Sequence, residues 1–544
     1  MPSTLRGADI VVRTLERAGL TDIFTLSGNH IMSLFDAAIE TSLNLMHVRH
    51  EAATVHMADA YGRLTGRPGI AWVTGGPGHA NAVGALFTAL GQETPLVLLS
   101  GHTETDQLGR GGFQELRQVE MAAPVTKASW MATDTARVGL DVAHAIRTAT
   151  AGRPGPVHLS LPSDVLDATV AADAVLWPMD ADFTAPPVPL HDAVVDTVLN
   201  LLAGAKRPLI IGAPVLATRA GRNLLRRIEA TLGIPACLSE GPRGFNDASL
   251  GAYAEVARRT DMVLLLGKAL DFTLKFGDAP FASDCRFIAI DPDGAILDRA
   301  ARFKGRLLSL GCIADTYPAG EALLGRGADR FMGDRAWLAD ARACFDDRPS
   351  TWLELVSRTP GRLHPAEVFR TLQPFIEREP DSVLICDGGE FAQWGQSLLR
   401  NDRRMINGVA GSIGSSLPMA GGARVVERTA PVFAVLGDGT FGFHMSEIET
   451  AVRLELPYVA IVGTDSRWNA EYNLQVRDYG PNRAHGCELN PTRYDLVATA
   501  LGGHGELVEA AADLRGAIER SLASGKPSVV NVIIESIPSP VVRR

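Results

Sequence analysis

Short apolar runs alternate with longer stretches of helical periodicity from one end of the chain to the other. This alternation is typical of βαβ units, in which parallel strands form a buried sheet that helices cover on both faces. The sequence therefore predicts an α/β fold built from parallel sheets with flanking helices. The clearest strand candidates are GIAWVT (69–74), PLVLLS (95–100), GPVHLSLP (155–162), RPLIIG (207–212), DMVLLLG (261–267), RFIAID (286–291), SVLICD (382–387), PVFAVLG (431–437), YVAIVG (458–463) and SVVNVII (528–534).

The chain has 544 residues, which is too long for one domain of ordinary size, since a domain commonly holds about 150 residues. Two segments interrupt the alternation of strands and helices. LWPMDADFTAPPVP (176–189) is rich in proline, and residues 346–365 carry several prolines without a strand signal. We expect three domains, over residues 1–180, 190–335 and 360–544, of which the first and the last are similar in size and kind.

Composition narrows the classes of partner. The formal net charge of -10 disfavours nucleic acid and anionic membranes as the main binding partner. No apolar run reaches the roughly 18 residues of a transmembrane helix, and the amino-terminal stretch indicates an amphipathic helix rather than a signal peptide. The six cysteines lie at least 27 residues apart, so no CxxC motif is present. We expect a cytoplasmic protein without membrane or nucleic-acid partners.

The segment most indicative of chemistry covers residues 437–469. An apolar strand runs into Gly437-Asp438-Gly439-Thr440, a helical stretch follows, and a second strand ends at Thr464-Asp465-Ser466-Arg467. Parallel strands joined by a crossover place Asp438 and Asp465 at the same carboxyl edge of the sheet, where such sheets bind ligands. Acidic loops beside a glycine turn at a helix N-terminus suit a divalent cation and a phosphorylated ligand. A GDG tripeptide by itself is more often a plain turn.

This segment resembles the diphosphate-binding motif of thiamine-diphosphate-dependent enzymes, which begins with GDG and ends near an Asn pair. The resemblance implies thiamine diphosphate and Mg²⁺ as cofactors. It also implies that Asp438 and Asp465 bind the metal through their side chains and Arg467 through its backbone carbonyl. The residues that it places against the diphosphate are Gly437, Gly439 and Thr440. Here Thr464-Asp465 stands where Asn-Asn is usual, which adds a negative charge beside the diphosphate.

A second segment, VRHEAATVHMADAYGRLTG (48–66), has a helical pattern with Glu51 at its start. An isolated glutamate there could simply favour the helix dipole. The RHEAA context resembles the glutamate that hydrogen-bonds N1′ of the cofactor's aminopyrimidine ring and exchanges a proton with it. Glu51 and Asp438 lie in different predicted domains, which fits the family's separate pyrimidine and diphosphate domains. In that family the site forms between two subunits, so the resemblance implies a homodimer or homotetramer.

Further segments extend the resemblance over nearly the whole chain. GVAGSIGSSLPMAGGA (408–423) is similar to the segment whose bulky apolar residue props the cofactor in its bent conformation, a role that falls to Ile413, which could equally be ordinary core. GGPGHAN (75–81) matches a glycine turn that contains His79. CDGGEFAQWG (386–395) follows a strand and offers Glu390 to Gln393 as further contacts on the diphosphate side.

Substrate contacts come from the amino-terminal third. LSGNHI (26–31) is similar to a segment of benzaldehyde lyase whose histidine works at the active site, which nominates His30, although a lone histidine is often structural. FQELRQVEMAAPVTK (113–127) resembles the segment in which a glutamine hydrogen-bonds the reacting oxygen, which nominates Gln114. We expect Glu51, His30 and Gln114 to be the catalytic groups. Residues that could line the substrate channel are Trp468, Asn469 and Glu471.

The resemblance is divided among benzaldehyde lyase, 2-hydroxyacyl-CoA lyase, oxalyl-CoA decarboxylase and the acetolactate-synthase group. It implies a C–C bond lyase or carboligase that acts on small-molecule substrates, namely 2-hydroxy ketones, 2-hydroxyacyl-CoA thioesters or 2-oxo acids. The alternatives are a 2-oxo acid decarboxylase, an acetolactate-synthase-type enzyme or a non-catalytic protein of the same fold. FAD is not expected, because no segment argues for it. Candidate phosphate partners in the middle domain are Arg219, Arg222, Lys268 and Lys275.

Overall fold

The computed structural model describes residues 3–328 and 333–542. Its strands form three parallel sheets flanked by helices, together with one small antiparallel pair, which confirms the predicted α/β fold. The strands are β1 (Thr4–Arg6), β2 (Asp22–Thr25), β3 (Asn44–His47), β4 (Gly69–Val73), β5 (Leu96–His102), β6 (Ser129–Met131), β7 (Pro156–Pro162), β8 (Thr169–Ala171), β9 (Pro208–Gly212), β10 (Ala236–Leu238), β11 (Met262–Leu266), β12 (Arg286–Asp291), β13 (Leu308–Ile313), β14 (Val383–Cys386), β15 (Arg404–Ile406), β16 (Val432–Gly437), β17 (Val459–Thr464), β18 (His504–Val508) and β19 (Ser528–Ile533).

Helices fill most of the connections between the strands, as the predicted βαβ units require. They are α1 (Gly7–Arg17), α2 (Met32–Ala37), α3 (Glu51–Thr65), α4 (Pro77–Gly91), α5 (Gln118–Ala122), α6 (Val138–Thr150), α7 (Ser163–Asp167), α8 (Asp192–Ala203), α9 (Arg219–Leu232), α10 (Tyr253–Arg259), α11 (Gly294–Lys304), α12 (Thr316–Gly327), α13 (Arg335–Phe345), α14 (Pro365–Arg378), α15 (Glu390–Leu398), α16 (Ser416–Val426), α17 (Asp438–His444), α18 (Glu447–Arg453), α19 (Asn469–Tyr479), α20 (Tyr494–Ala500) and α21 (Ala511–Ala523). Across the described residues, no helix is both long and apolar enough to cross a membrane.

The first and last sheets have the same topology. The amino-terminal sheet has the order β3-β2-β4-β5-β7-β6, and the carboxyl-terminal sheet has the order β15-β14-β16-β17-β19-β18. In each sheet the second strand lies on one side of the first and the third strand on the other, so a topological switch point follows the first and third strands. These switch points lie beyond β2 and β4 in one sheet and beyond β14 and β16 in the other. The middle sheet has the order β10-β9-β11-β12-β13.

Helices α3 and α16 bring the two outer sheets together around one shared apolar cluster. A Cβ atom on Gly422 would lie 2.4 Å from the carbonyl oxygen of Met57, so only a residue without a side chain lets the two backbones approach this closely. Helix α3 begins directly after His50, whose Nδ1 accepts a 3.1 Å hydrogen bond from the N–H of Ala52. The packing therefore fixes the helix that carries Glu51 at its first position.

Buried ion pairs join the middle sheet to its neighbours. Arg153 forms ion pairs with Glu93 and Asp291 at the carboxyl edge of the middle sheet. Arg222 and Arg404 both pair with Glu240 at 2.7 Å. Because breaking a buried pair leaves an uncompensated charge, these contacts hold the three sheets in one arrangement. The exact limits of the three domains stay a prediction.

Candidate active site

The GDG turn forms the junction between strand β16 and helix α17. Gly437 is the last strand residue and Asp438 the first helical one. The neighbouring parallel strand pairs Gly463 with Gly437, so Asp465 follows at the same edge of the sheet. Asp438 is buried, and its Oδ2 accepts a 2.8 Å hydrogen bond from the N–H of Ser466. The structure therefore brings together the two aspartates that the sequence placed at one carboxyl edge.

The chain offsets the charges of these two carboxylates only in part, with Arg467 and Ser536 both acting on Asp465. Burial, and then the neighbouring Asp465 carboxylate, raises the pKa of Asp438 to about 7. Burial also raises the pKa of Asp465 to about 6. A buried acid beside a part-buried one, both with raised pKa values, forms a site whose charge a bound cation would balance.

The carbonyl oxygen of Arg467 is the third oxygen that the chain can offer. Residues 467 and 488 form an isolated antiparallel bridge. Its hydrogen bonds run from Leu489 N to the oxygen of Ser466 and from Trp468 N to the oxygen of Cys487, so the bridge does not use the Arg467 carbonyl. Oxygen ligands suit Mg²⁺. No cluster of three or more His, Cys, Asp or Glu side chains suited to a metal occurs among the described residues, so the other ligands would come from a bound molecule and water.

Trp468 covers the GDG turn. A Cβ atom on Gly439 would lie 2.7 Å from a ring carbon of Trp468, whereas one on Gly437 would meet nothing within 4 Å. Gly439 is therefore required by the indole ring that packs on it, and Gly437 leaves open space in front of the turn. That space is where a phosphate group could approach the backbone at the helix N-terminus.

Ile413 lies in a loop that is held against strand β14 by Asp387. The buried carboxylate of Asp387 accepts hydrogen bonds from the N–H groups of Gly414 at 3.0 Å and Ser416 at 3.1 Å. A Cβ atom on Gly388 would lie 2.6 Å from Cγ2 of Ile413, so the loop packs directly on the turn after β14. The sequence did not nominate Asp387, although the run CDGG at a strand end was a signal for it.

The nominated residues Glu390 and Gln393 lie at the start of helix α15 and bind neighbouring segments. Oε2 of Glu390 accepts a 2.7 Å hydrogen bond from the N–H of Ser539, and Gln393 accepts one from Arg243. Asn469 donates a 2.9 Å hydrogen bond to the carbonyl of Ile537. The segment that follows β19 therefore crosses this edge of the carboxyl-terminal sheet.

Glu51 is only part-buried in the single chain. Nδ2 of Asn81 donates a 2.9 Å hydrogen bond to its Oε2, and Gly78 lies close enough that a Cβ there would be 3.4 Å from Oε1. Among the described residues, no hydrogen bond or ion pair joins Glu51 to the GDG turn or to residues 464–468. The helix that follows the GDG turn does come near the start of α3 in the same chain, since the ring centroids of His50 and His444 are 5.8 Å apart.

His30 and Gln114 lie together beyond the switch point of the amino-terminal sheet. Nε2 of His30 is 3.2 Å from the carbonyl oxygen of Phe113, and Nδ1 is 3.1 Å from Oγ1 of Thr74. Burial lowers the pKa of His30. Gln114 has a φ of 55°, which is rare for a residue with a side chain. The structure thus brings these two candidates together at one loop.

The other nominated residues differ in their surroundings. His79 is buried, its Nδ1 lies 2.9 Å from Oγ of Ser100, and burial lowers its pKa to about 4. His79 therefore faces the core of the sheet. Glu471, in contrast, is exposed.

Three of the four candidate phosphate partners in the middle sheet region are already in ion pairs. These pairs are Arg219–Asp381, Arg222–Glu240 and Lys268–Asp271.

Two family models match this chain. Residues 5–121 match the N-terminal TPP binding domain of thiamine pyrophosphate enzymes, and residues 387–532 match the C-terminal TPP binding domain of the same enzymes. The first match contains Glu51, His30 and Gln114, and the second contains Asp438 and Asp465.

Similar proteins match over nearly the full length of the chain. A probable acetolactate synthase of Mycobacterium bovis is 32% identical over 98% of this chain and 96% of its own length. The 2-hydroxyacyl-CoA lyase of Oryza sativa subsp. japonica is 29% identical over 97% of this chain and 95% of its own. The 2-hydroxyacyl-CoA lyase 2 of Homo sapiens is 28% identical over 98% and 90%.

Proposed function

Because this chain belongs to the thiamine pyrophosphate enzymes, we propose that it is a Mg²⁺-dependent lyase or carboligase that breaks or forms a C–C bond. The observation that carries the metal part of the proposal is the buried Asp438 next to the part-buried Asp465, beside the unused carbonyl of Arg467. The substrates that we propose are 2-hydroxy ketones, 2-hydroxyacyl-CoA thioesters or 2-oxo acids. The alternative is a 2-oxo acid decarboxylase or an enzyme of the acetolactate-synthase type.

The chain's own residues would bind and orient the cofactor. Asp438 and Asp465 would hold Mg²⁺ against the diphosphate, Gly437, Gly439 and Thr440 would line it, and Ile413 would support the bent cofactor. Thiamine diphosphate supplies the carbon nucleophile and accepts the electrons of the C–C bond that breaks. Glu51 would exchange a proton with the aminopyrimidine ring, while His30 and Gln114 would move a proton and hydrogen-bond the reacting oxygen.

A complete site would need a second copy of the chain. No hydrogen bond or ion pair joins Glu51 to the GDG turn among the described residues of one chain, and large apolar side chains are exposed beside each half. Phe113 is 62% exposed next to His30, and Phe443 is 52% exposed on helix α17. Burying such side chains favours association. A homodimer or homotetramer in which Glu51 of one copy faces Asp438 of another would cover both phenylalanine side chains.

The relatives include an acetolactate synthase and 2-hydroxyacyl-CoA lyases, and none of the three substrate classes is favoured by a particular contact in this chain. We do not propose FAD, because three of the candidate phosphate partners of the middle sheet are already paired with carboxylates. A purified protein without flavin absorbance bands would agree with this.

None of the six cysteines, all in the described part of the chain, is joined in a disulfide, which supports a cytoplasmic location.

A substrate panel tests the proposed function. The purified protein is incubated with thiamine diphosphate and Mg²⁺ and with pyruvate, benzoin, acetoin, oxalyl-CoA or a 2-hydroxyacyl-CoA, and the products are identified by mass. We expect one of these classes to be consumed, and EDTA to abolish the reaction. If the loaded protein consumes none of them, the proposal fails.

The variant Glu51→Gln gives the matched test of the mechanism. It should fold normally, bind the cofactor and turn over at least about 100-fold more slowly, the size expected for a lost acid–base group. Glu120→Gln, at a surface residue paired with Arg117, serves as the control and should keep full activity. Near-wild-type turnover by Glu51→Gln would contradict the role of Glu51.

A further inference from the structure

Gln118 links three separate segments of the amino-terminal sheet. Its side chain is 1% exposed. Oε1 accepts a 2.8 Å hydrogen bond from the N–H of Gly76, and Nε2 donates to the carbonyl of Gly101 at 3.0 Å and to Oγ of Ser160 at 2.9 Å. A buried amide with three good hydrogen bonds is held firmly, and it holds its partners in the same way.

The first of these partners supports Gln114. Gly76 has a φ of 60°, and a Cβ atom on it would lie 2.6 Å from the carbonyl oxygen of Gln114 and 2.7 Å from its Cβ. Gln114 itself has a φ of 55°. A non-glycine residue keeps this conformation only where its surroundings enforce it. The turn at Gly76, fixed by Gln118, is the surface against which Gln114 is held.

The second partner supports His30. A Cβ atom on Gly101 would lie 2.6 Å from Cβ of His30, so the histidine rests on the backbone at the end of strand β5. The carbonyl of the same Gly101 accepts the hydrogen bond from Gln118. The Gln118 amide thus fixes the position of the backbone under His30 relative to the turn beside Gln114.

We propose that Gln118 is a positioning residue that fixes the distance between His30 and Gln114 in the active site. The proposal rests on the proposed function, because it takes its meaning from the roles given to these two residues there. Gln118 does not touch the reacting atoms; it acts through Gly76 and Gly101. A displacement of about 1 Å of one such group relative to the other can lower the rate about 100-fold, because catalysis depends on the geometry of both groups together.

The test compares Gln118→Leu and Gln118→Glu in the full chain loaded with thiamine diphosphate and Mg²⁺. Gln118→Leu removes all three hydrogen bonds at similar volume. We expect kcat to fall at least about tenfold, with the cofactor Kd and KM changed less than about threefold, because binding groups are kept while the geometry of the reacting step is lost. Ser160→Ala leaves the links to Gly76 and Gly101 in place and should stay within about threefold of wild type.

Gln118→Glu supplies the rescue. When protonated, its carboxyl group has the shape of the amide, accepting from Gly76 N and donating to the Gly101 carbonyl; when ionised, it cannot donate. The ratio of variant to wild-type kcat should therefore rise as the pH falls through the pKa of the new acid. A merely structural role would lower the melting temperature without making this ratio depend on pH.

Hydrogen–deuterium exchange gives a readout that does not need turnover. Peptides covering residues 105–117 should exchange faster in Gln118→Leu than in wild type, with no change in peptides from the carboxyl-terminal sheet. If wild type consumes no substrate in the panel, the proposed function fails, and the exchange experiment still decides whether Gln118 fixes this loop. A folded Gln118→Leu with wild-type kcat, or with unchanged exchange at 105–117, overturns the proposal. If Gln118→Leu does not fold, a pH-independent kcat ratio for folded Gln118→Glu overturns it.

Discussion

The backbone N–H of Ser466 donates a 2.8 Å hydrogen bond to Oδ2 of Asp438 and so ties the two loops of the proposed metal site together. Ser466 has a φ of 60°, a strained value for a residue with a side chain. The bond leaves Oδ1 of Asp438 within 2.9 Å of the N–H of Gly439. The aspartate therefore has a fixed orientation before any ion arrives, which reduces the ordering that metal binding requires.

Asp465 is the residue whose charge is most open to test. Replacing it with asparagine keeps one oxygen ligand and removes one negative charge beside Asp438. We expect Asp465→Asn to bind Mg²⁺ about tenfold more weakly, or about 1.4 kcal/mol, and to bind thiamine diphosphate more tightly in EDTA, because the repulsion of the diphosphate is reduced. Calorimetric titrations measure both. Asp478→Asn, at an exposed residue, is the control. Unchanged or tighter Mg²⁺ binding would show that Asp465 is not a ligand.

The contact between Gly439 and Trp468 predicts that substitutions at these two positions have non-additive effects on cofactor binding. A Cβ atom at position 439 would lie 2.7 Å from the indole ring, so Gly439→Ala must displace the ring or the turn. We expect its cofactor Kd to rise at least tenfold, and Trp468→Ala in the same chain to restore part of this loss, with a coupling energy of about 1 kcal/mol. Gly442→Ala, where nothing lies within 4 Å, should bind normally. Additive effects of the two substitutions would contradict the contact.

The carbonyl of Phe113 fixes the tautomer of His30, and the Thr74 hydroxyl serves the other ring nitrogen. The carbonyl of Phe113 can only accept, so Nε2 of His30 carries the hydrogen and Nδ1 accepts from the Thr74 hydroxyl. We expect Thr74→Val to lower kcat about tenfold and His30→Ala about 100-fold. Losing a donor to the neutral ring also raises the pKa of His30, so the acid limb of the kcat profile should move to higher pH in Thr74→Val. An unshifted profile would show that this hydrogen bond does not act on His30.

The sequence predicted the parts of this molecule that depend on local pattern. Long buried strands such as β5 and β16 follow directly from apolar runs, because both faces of a parallel strand are covered. Strand β2 was missed although it lies inside its sheet, since DIFT has only four residues and a polar start. Edge strands β10 and β15, with three residues each, gave no pattern to detect.

The same distinction applies to the candidate site, where some features follow from local sequence and topology and others from the packing of distant segments. A crossover between parallel strands was enough to predict that Asp438 and Asp465 share an edge, because that follows from topology. Gln118 and Asp387 were not predicted. Their partners lie up to 42 positions away in the chain, and such contacts depend on how the loops pack. The pairing of Glu51 with Asp438 was expected between two chains and stays a prediction.

Buried histidines predict a loss of stability on mild acidification. Burial lowers the pKa of His158 well below its ordinary 6.5, so the folded state keeps it neutral while the unfolded chain takes up a proton. Its contribution is therefore intact above pH 6.5 and is lost as the pH falls below that value. Between pH 7.5 and 5.5 the free energy of unfolding of wild type should fall by about 1.4 kcal/mol more than that of His158→Phe. Denaturant titrations at the two pH values measure this, with His144→Phe, at an exposed position, as control. Equal pH dependence in His158→Phe and wild type would show that His158 is protonated in the folded protein.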